Sequence, residues 1–238
     1  MSYLLLALTS IIAGLISGVT GTGSSLILIP VLTATLGAKA AVPVMAIAAL
    51  LGNISRVVIW RKEINWSAFC WFALPALPAV VAGANTLIAL PESVLNTTLG
   101  IFFLALCPAR HWLKHSNFTL RPVHLLFCGI FTGFLTGLVF STGPLMLPLL
   151  SAYGLLPAPL LATESAISFL LYLTKSVTFT RLGVLTPDII ISGLLTGITI
   201  ALSSLGAKRI VLALPPAFYS WILDTVLIVA GVGLIFAE

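Results

Sequence analysis

Charged residues are scarce in this chain of 238 residues, which carries 11 Lys or Arg and 6 Asp or Glu, only 7% of the sequence. A soluble domain contains about 25% charged residues, so this chain has too few to cover a solvated surface. Hydrophobic residues make up 60% of it, in runs that are long enough to cross a bilayer. We therefore predict an all-α polytopic membrane protein, and we exclude a soluble catalytic domain.

Cysteine is also rare, and motifs for catalysis or metal binding are missing. Cys70, Cys107 and Cys128 form no CxxC pair, which favours packed thiols over metal ligands. The sequence has no Ser-His-Asp order, no HExxH, no phosphate loop and no paired carboxylate set. We predict a protein that is not an enzyme and that binds no cofactor, metal or nucleic acid. The net charge of +5 is interpreted as a signal of membrane orientation.

Two interrupted apolar stretches organise the chain. The first, GLISGVTGTGSSLILIPVLTATL, runs from Gly14 to Leu36, and a weaker counterpart runs from Gly133 to Leu150. In each, an apolar helix leads into a cluster of Gly, Ser and Thr, and a second apolar run follows. A broken helix in a membrane exposes backbone groups that protein, water or a ligand must pair. We interpret the breaks as the lining of a substrate site, and Gly14 and Gly18 as helix-packing positions.

The order of apolar segments indicates an internal duplication. Residues 1–107 form the first repeat, residues 108–122 a basic linker loop, and residues 123–238 the second repeat. Each repeat contains two short segments and then three long ones. We predict two homologous five-segment halves, each with a broken short-helix pair and three spans, as in many secondary transporters.

The loop charges bear on the relative orientation of the two halves. If each short pair is a hairpin, the halves are inverted, and Lys and Arg divide seven against two between the membrane sides. If each short pair is one kinked crossing, the halves are parallel and the division is six against three. The positive-inside rule favours the larger bias. We therefore favour inverted repeats, with parallel repeats as the alternative.

The breaks offer groups that suit an anion. The N-terminus of a helix carries about half a positive charge, and its free N–H groups bind anions. Glycine backbone and hydroxyl groups supply further donors. The residues that we assign to an anion cradle are Gly21, Thr22, Gly23, Ser24 and Ser25 in the first break and Ser141, Thr142 and Gly143 in the second.

Charged side chains inside predicted spans are a second indication of a substrate site, after the helix breaks, because such charges are costly in lipid and usually functional. Arg56 and Lys175 occupy matching places in the two halves, 119 residues apart. They either face one anion from two sides or extend to the nearby loops. Glu164 is a proton-coupling candidate, or else a carboxylate near the start of its helix. Asn53 and Ser165 complete the predicted substrate-binding set.

The longest polar stretch, residues 108–122, contains His111 and His115, which are four residues apart. A metal site here lacks a third ligand nearby in sequence. We predict a solvated basic loop instead. Asp224 lies a short way into the last apolar run, and the sequence indicates no partner for it.

These patterns resemble the TauE/SafE family of sulfite and organosulfonate exporters, also called TSUP permeases. The matching stretches are GLISGVTGTGSSLILIPVL, RKEINW and LPALPAVVAGA in the first half, and GFLTGLVFSTGPLMLPLL, RLGVLTPD and ISGLLTGITIALSSLGAK in the second. Two departures are a shorter glycine run after the first helix and Thr186, where the family commonly has Trp. The resemblance implies transport of a small sulfur-containing anion through the inner membrane, driven by an ion gradient.

Two other functions stay open at this point. A passive anion channel would share the same composition and the same breaks. A membrane thiol-redox protein would need a pair of cysteines at repeat-related positions, which Cys70 and Cys128 do not form. The expected partners are a small anionic substrate and the lipid bilayer, and a homodimer is compatible with the sequence.

Overall fold

The computed structural model describes residues 9–11, 13–14, 28, 31–33, 35–115, 119–139, 141–207, 224–225, 228–229 and 231–235. Seven α-helices are defined in this part of the chain: α1 (Ala38–Trp60), α2 (Trp66–Ala89), α3 (Glu92–His115), α4 (Pro122–Leu138), α5 (Gly143–Ala152), α6 (Pro157–Arg181) and α7 (Pro187–Ala207). The residues described contain no β-strand. The predicted all-α class is therefore confirmed.

Four segments among the described residues are long and apolar enough to cross a membrane: Lys39–Glu63, Trp66–Ala89, Glu92–Ala109 and Pro157–Arg181. Three shorter apolar helices accompany them: Pro122–Leu138, Gly143–Ala152 and Pro187–Ser203. Large apolar side chains such as Val58, Phe127 and Phe131 are exposed, as expected of surfaces that face lipid. The protein is a multi-pass membrane protein.

Local sequence signals explain where the helices begin. Asn65 caps α2, because its side-chain oxygen accepts a hydrogen bond from the backbone N–H of Ala68 at 3.0 Å. Pro122, Pro157 and Pro187 each occupy the first residue of a helix, where a proline loses no intrahelical hydrogen bond. These signals lie in the sequence itself, so the starts of these helices can be predicted from it.

Small residues let α2 and α4 pack at close range. Gly129 lies against Phe72, Gly133 against Ala76, and Gly137 against Val80, with the nearest approach made by backbone atoms. Residue numbers rise together along both helices, so α2 and α4 run in the same direction. Glycine permits this approach because it has no Cβ.

Helices α1 and α7 form a similar pair. Gly193 lies against Ile47, and Gly197 lies against Ala48 and Leu51, again with numbers rising together. Gly14 lies against Ile200 and Ser203, in agreement with its predicted role in helix packing. Gly18 lies outside the described residues.

Helices α4 and α5 fold back on each other across the second predicted break. The N–H of Leu120, just before α4, donates to the carbonyl oxygen of Ala152, the last residue of α5, at 2.9 Å. The chain therefore enters α4 and leaves α5 at the same place. With 17 and 10 residues, the two helices are about 25 and 15 Å long.

Helices α1 and α6 cross in opposite directions. The N–H of Asn65, which follows the C-terminal end of α1, donates to the Thr163 hydroxyl near the N-terminal end of α6 at 2.9 Å. The end of one helix thus lies beside the start of the other. Both helices also contact the core formed around Met45 and Tyr172.

The predicted basic loop at residues 108–122 is only partly a loop, because α3 continues to His115. The added residues Ala109, Arg110, Leu113 and Lys114 are strong helix formers. The polar residues show where the helix leaves the lipid, but they do not end it. A helix of such residues keeps its backbone hydrogen bonds when it continues into water.

Candidate functional site

The first predicted break, with its five proposed cradle residues, lies outside the described residues: Gly21, Thr22, Gly23, Ser24 and Ser25. Their role stays a prediction from sequence. The remaining predicted site residues are described, and they lie on α1, on α6 and where α4 meets α5.

Arg56 lies near the end of α1, three residues after Asn53, so the two side chains share a helix face. The Arg56 Nη2 donates to the Asn53 Oδ1 at 2.5 Å, and the Asn53 Nδ2 donates to the carbonyl oxygen of Ala49 at 2.8 Å. Arg56 Nε and Nη1 are shielded from solvent and have no hydrogen-bond partner. A guanidinium stays charged in proteins, so α1 presents a shielded cation with unpaired donors.

Glu164 lies on α6 and is 1% exposed. Its Oε1 accepts a hydrogen bond from the Ser168 hydroxyl at 2.7 Å, whereas the neighbouring Ser165 hydroxyl donates to the carbonyl oxygen of Leu161. Its Oε2 is buried without a partner. The charges of Glu164 and Arg56 attract each other. A carboxyl group and a guanidinium therefore share one interior region, and both have polar atoms that are still unpaired.

Tyr172 connects this charged pair to the second break. Its phenol forms a side-chain hydrogen bond with Ser141 and interacts electrostatically with both Glu164 and Arg56. Ser141 and Tyr172 are both buried. The structure thus brings Ser141 into the electrostatic environment of Arg56, as a single substrate site would require.

The second break itself is held by hydroxyl groups. The Thr136 hydroxyl donates to the carbonyl oxygen of Thr132 at 2.7 Å, so the Thr142 hydroxyl, 2.5 Å from that of Thr136, is the donor of this pair. Helix α5 begins at Gly143. The N-terminus of this short helix, which carries the positive end of its dipole, therefore lies beside Ser141 and Thr142.

Lys175 is completely buried. Its amino group donates to the carbonyl oxygens of Thr136 and Val139, each at 2.7 Å. These carbonyls belong to the last turn of α4 and to the residue that follows it, where the helix supplies no intrahelical partners. The nitrogen also lies 5.6 Å from the centre of the Phe179 ring, in the range of a cation–π contact.

The two cations at matching places in the halves thus have different surroundings. Arg56 keeps two nitrogens unpaired, whereas the Lys175 amino group closes the C-terminal end of α4. Arg56, Asn53, Glu164 and Ser141 belong to one connected set, whereas the Ser165 hydroxyl bonds within its own helix. A direct contact of Lys175 with an anion stays a prediction.

Comparison with known proteins identifies the family. A family model described as "Sulfite exporter TauE/SafE" matches residues 6–234 of this chain. The match covers nearly the whole sequence. The chain belongs to the TauE/SafE family. No curated protein and no solved structure matches it.

Membership of the TauE/SafE family confirms the resemblance seen in the sequence. The family consists of membrane transporters, described as sulfite exporters. This agrees with a chain made of apolar helices and supports the prediction that it is not an enzyme.

Sequence reasoning missed two residues of the site in this TauE/SafE protein. Tyr172 connects the halves, and Thr136 joins Thr142 to Lys175. A signal for Tyr172 was present, because it lies 119 residues after Asn53, the same spacing that relates Arg56 to Lys175. Thr136 has no such signal, since threonine in an apolar helix commonly bonds to its own backbone.

Proposed function

We propose that this TauE/SafE protein is a secondary transporter of the inner membrane for a small sulfur-containing anion such as sulfite or an organosulfonate. The observation that carries the proposal is Arg56, a shielded guanidinium whose Nε and Nη1 have no hydrogen-bond partner. Shielded donors of a charged group that lack acceptors cost free energy. An oxyanion bound there would supply acceptors for Nε and Nη1 and further negative charge, and the planar set of donors on arginine is well suited to oxyanions.

The residues around Arg56 support a site for a small ligand. Asn53 orients the guanidinium through Nη2. Ser141, linked through Tyr172, offers a hydroxyl from the opposite half of the chain. The start of α5 at Gly143 adds a helix N-terminus that favours negative charge. We infer that the anion lies between Arg56 and the second break, with Gly21 to Ser25 closing the site from the first half.

Glu164 is the proposed coupling group. Its carboxyl is buried, has an unpaired Oε2 and interacts with the charge of Arg56. An anion at Arg56 would compete with the carboxylate for the same positive charge. Anion binding would therefore favour the protonated carboxyl group, and by linkage a proton on Glu164 would favour the anion. This arrangement makes the proton and the anion travel together.

We further propose that the two halves are inverted repeats, residues 1–107 and 123–238, joined by residues 108–122. Helices α1 and α6 are counterparts in the two halves, and the bond from Asn65 to Thr163 supports opposite directions for them. The bond from Leu120 to Ala152 supports a hairpin in place of a kinked crossing. With a hairpin, each half has an odd number of full crossings, so the halves face opposite sides.

A screen of anions against the purified protein tests the substrate class. Thermal unfolding is recorded with sulfite, thiosulfate, sulfoacetate, taurine, sulfate and simple carboxylates, because a ligand that binds only the folded state raises the apparent Tm. We expect a rise with one or more sulfur oxyanions. Shifts with carboxylates alone would overturn the proposed substrate class.

Transport in vesicles then separates a coupled transporter from a passive channel. We expect anion flux to follow an imposed proton gradient in the native chain, and Glu164→Gln to bind the anion but to lose that dependence. Flux that ignores every ion gradient in the native chain would favour the channel. None of the three cysteines forms a disulfide, so replacing all of them by Ser should preserve transport. Loss of flux in that folded variant would instead favour the thiol-redox function.

A further inference from the structure

Three side chains of metal-binding type meet where α3 approaches the C-terminal part of the chain. The Cys107 Sγ lies 3.4 Å from the Asp224 Oδ1. The His111 Nε2 lies 3.5 Å from the Asp224 Oδ2. Each residue offers one ligand atom, and the three atoms lie within 4.8 Å of one another. None of these residues belongs to the cluster around Arg56.

The packing of α3 against the segment that contains Asp224 and Gly231 brings the three side chains together. Cys107 and His111 are four residues apart on α3, so they share a face. Gly100 on the same helix lies against Gly231, and Asp224 lies against Cys107. Residue numbers rise along one segment as they fall along the other, so the two segments run antiparallel. Glycines at the crossing allow the close approach that brings Asp224 to the two α3 ligands.

The distances fit a tetrahedral zinc site. Zn²⁺ binds thiolate sulfur at about 2.3 Å and imidazole nitrogen or carboxylate oxygen at about 2.0–2.2 Å. Two ligands on such a tetrahedron lie about 3.3–3.8 Å apart, by the geometry of those bonds. The Cys107 Sγ lies 3.4 Å from Oδ1 of Asp224, and the His111 Nε2 lies 3.5 Å from its Oδ2, so each has a carboxylate oxygen at about the distance that two zinc ligands require. Thiolate and imidazole together favour zinc over magnesium or calcium, which prefer oxygen ligands.

The orientation of the histidine ring is also that of a metal ligand. The His111 Nδ1 lies 2.9 Å from the carbonyl oxygen of Cys107. A carbonyl can only accept, so Nδ1 is the donor of this contact, which leaves Nε2, on the side of Asp224, as the nitrogen that can bind a metal ion. Metal-binding histidines commonly donate their second ring N–H to such an acceptor.

We propose that Cys107, His111 and Asp224 bind one Zn²⁺ that clamps α3 to the segment around residue 224. The His111 side chain is 46% exposed and lies beyond the candidate span that ends at Ala109, so the ion would enter from water, which would also supply the fourth ligand. The ligand atoms come from residues 117 positions apart in the chain, so the ion ties the end of the first half to the end of the second. Its role is to stabilise this contact, separately from anion binding.

Cobalt provides the direct test, because Co²⁺ occupies zinc sites and its bond to a thiolate produces a strong charge-transfer absorption. We expect the purified full-length protein to develop this band with about one Co²⁺ per chain and to lose it when Zn²⁺ is added. Cys107→Ser should abolish the band, and the matched variant Cys128→Ser should retain it. No band in the native chain, or loss of the band in Cys128→Ser, would overturn the proposal.

Thermal unfolding with and without Zn²⁺ gives a second measurement that needs no thiol chromophore. Zinc should raise the apparent Tm of the native chain, and a chelator should reverse the rise. Loss of a direct ligand in His111→Ala or Asp224→Asn should weaken zinc binding at least about 100-fold, more than the loss of an outer partner. His124→Ala is the matched control. An equal zinc response in Asp224→Asn and the native chain would show that His111 and Asp224 form only an ion pair.

Discussion

Among single residues, Arg56 provides the most direct test of the proposed anion site. Replacing it by Met removes the charge and both unpaired nitrogens, and hydrogen bonds to charged groups contribute about 1.5–3 kcal/mol each. We expect Arg56→Met to weaken anion binding by about 100-fold or more, because two such bonds are lost. Arg56→Lys should recover part of the affinity, because a lysine supplies the charge without the planar set of donors.

Affinity for the anion found in the screen, measured by thermal shift, is the readout for these variants. Arg61→Met is the matched control, because Arg61 is exposed in the 3₁₀ turn after α1. Native affinity in a folded Arg56→Met protein would mean that the anion binds elsewhere.

Lys175 leads to a different prediction, because its amino group already has partners. Lys175→Met removes two hydrogen bonds to carbonyls at the end of α4 and leaves those carbonyls buried, at a cost of about 1–3 kcal/mol for each unsatisfied group. We expect a clear fall in Tm, whereas Lys62→Met at an exposed position should leave Tm unchanged. An unchanged Tm with lost anion binding would instead assign Lys175 to the anion.

The packing of one helix against another can be tested where α2 and α4 are in close contact. A methyl group added at Gly137 would overlap the backbone of Val80, Gly83 and Ala84. Gly137→Ala should therefore destabilise the protein by about 1–3 kcal/mol, the usual cost of overpacking. Gly233→Ala is the matched control, because nothing lies within 4 Å of a methyl group there. Equal stability of the two variants in a thermal unfolding assay would contradict the observed helix contact.

The first break calls for a test of its own. Gly23 lies where the sequence predicts the start of a short helix, and its lack of a Cβ would let a ligand approach the backbone. Gly23→Leu should abolish anion binding while the protein still folds. Gly18→Leu should instead lower expression, since Gly18 is assigned to helix packing. If Gly23→Leu binds the anion with native affinity, this break is not part of the cradle.

At the scale of the whole molecule, the proposed inversion predicts which loops face the cytoplasm. Single cysteines are introduced at exposed positions, Lys62→Cys or Arg181→Cys, in a background where the three native cysteines are Ser. In inverted repeats, the first should react with a membrane-impermeant thiol reagent only from the cytoplasmic side, and the second only from outside. Reaction of both from the same side would favour the parallel arrangement.

Much of the fold was predictable because its signals are local. Proline at the first helical residue, the Asn65 cap and long apolar runs mark the spans along the sequence. The end of α3 was predicted wrongly, because a polar run was taken for a loop although its residues favour helix. The sequence grouped Arg56 and Ser141 in one predicted anion site, with Glu164 as a coupling group, but it did not contain the contacts among these side chains.

Composition and periodicity by themselves determined a multi-pass helical membrane protein with two interrupted stretches, because the bilayer demands apolar helices and leaves few other structures. The family followed from the same motifs. Only the tertiary structure decided which polar groups are paired. The Lys175 amino group donates to carbonyl oxygens at the end of α4, whereas Arg56 Nε and Nη1 have no hydrogen-bond partner. The tertiary structure also places Asp224 beside Cys107 and His111. Contacts between distant parts of a chain depend on how whole helices cross, and a pattern read along one helix does not contain that information.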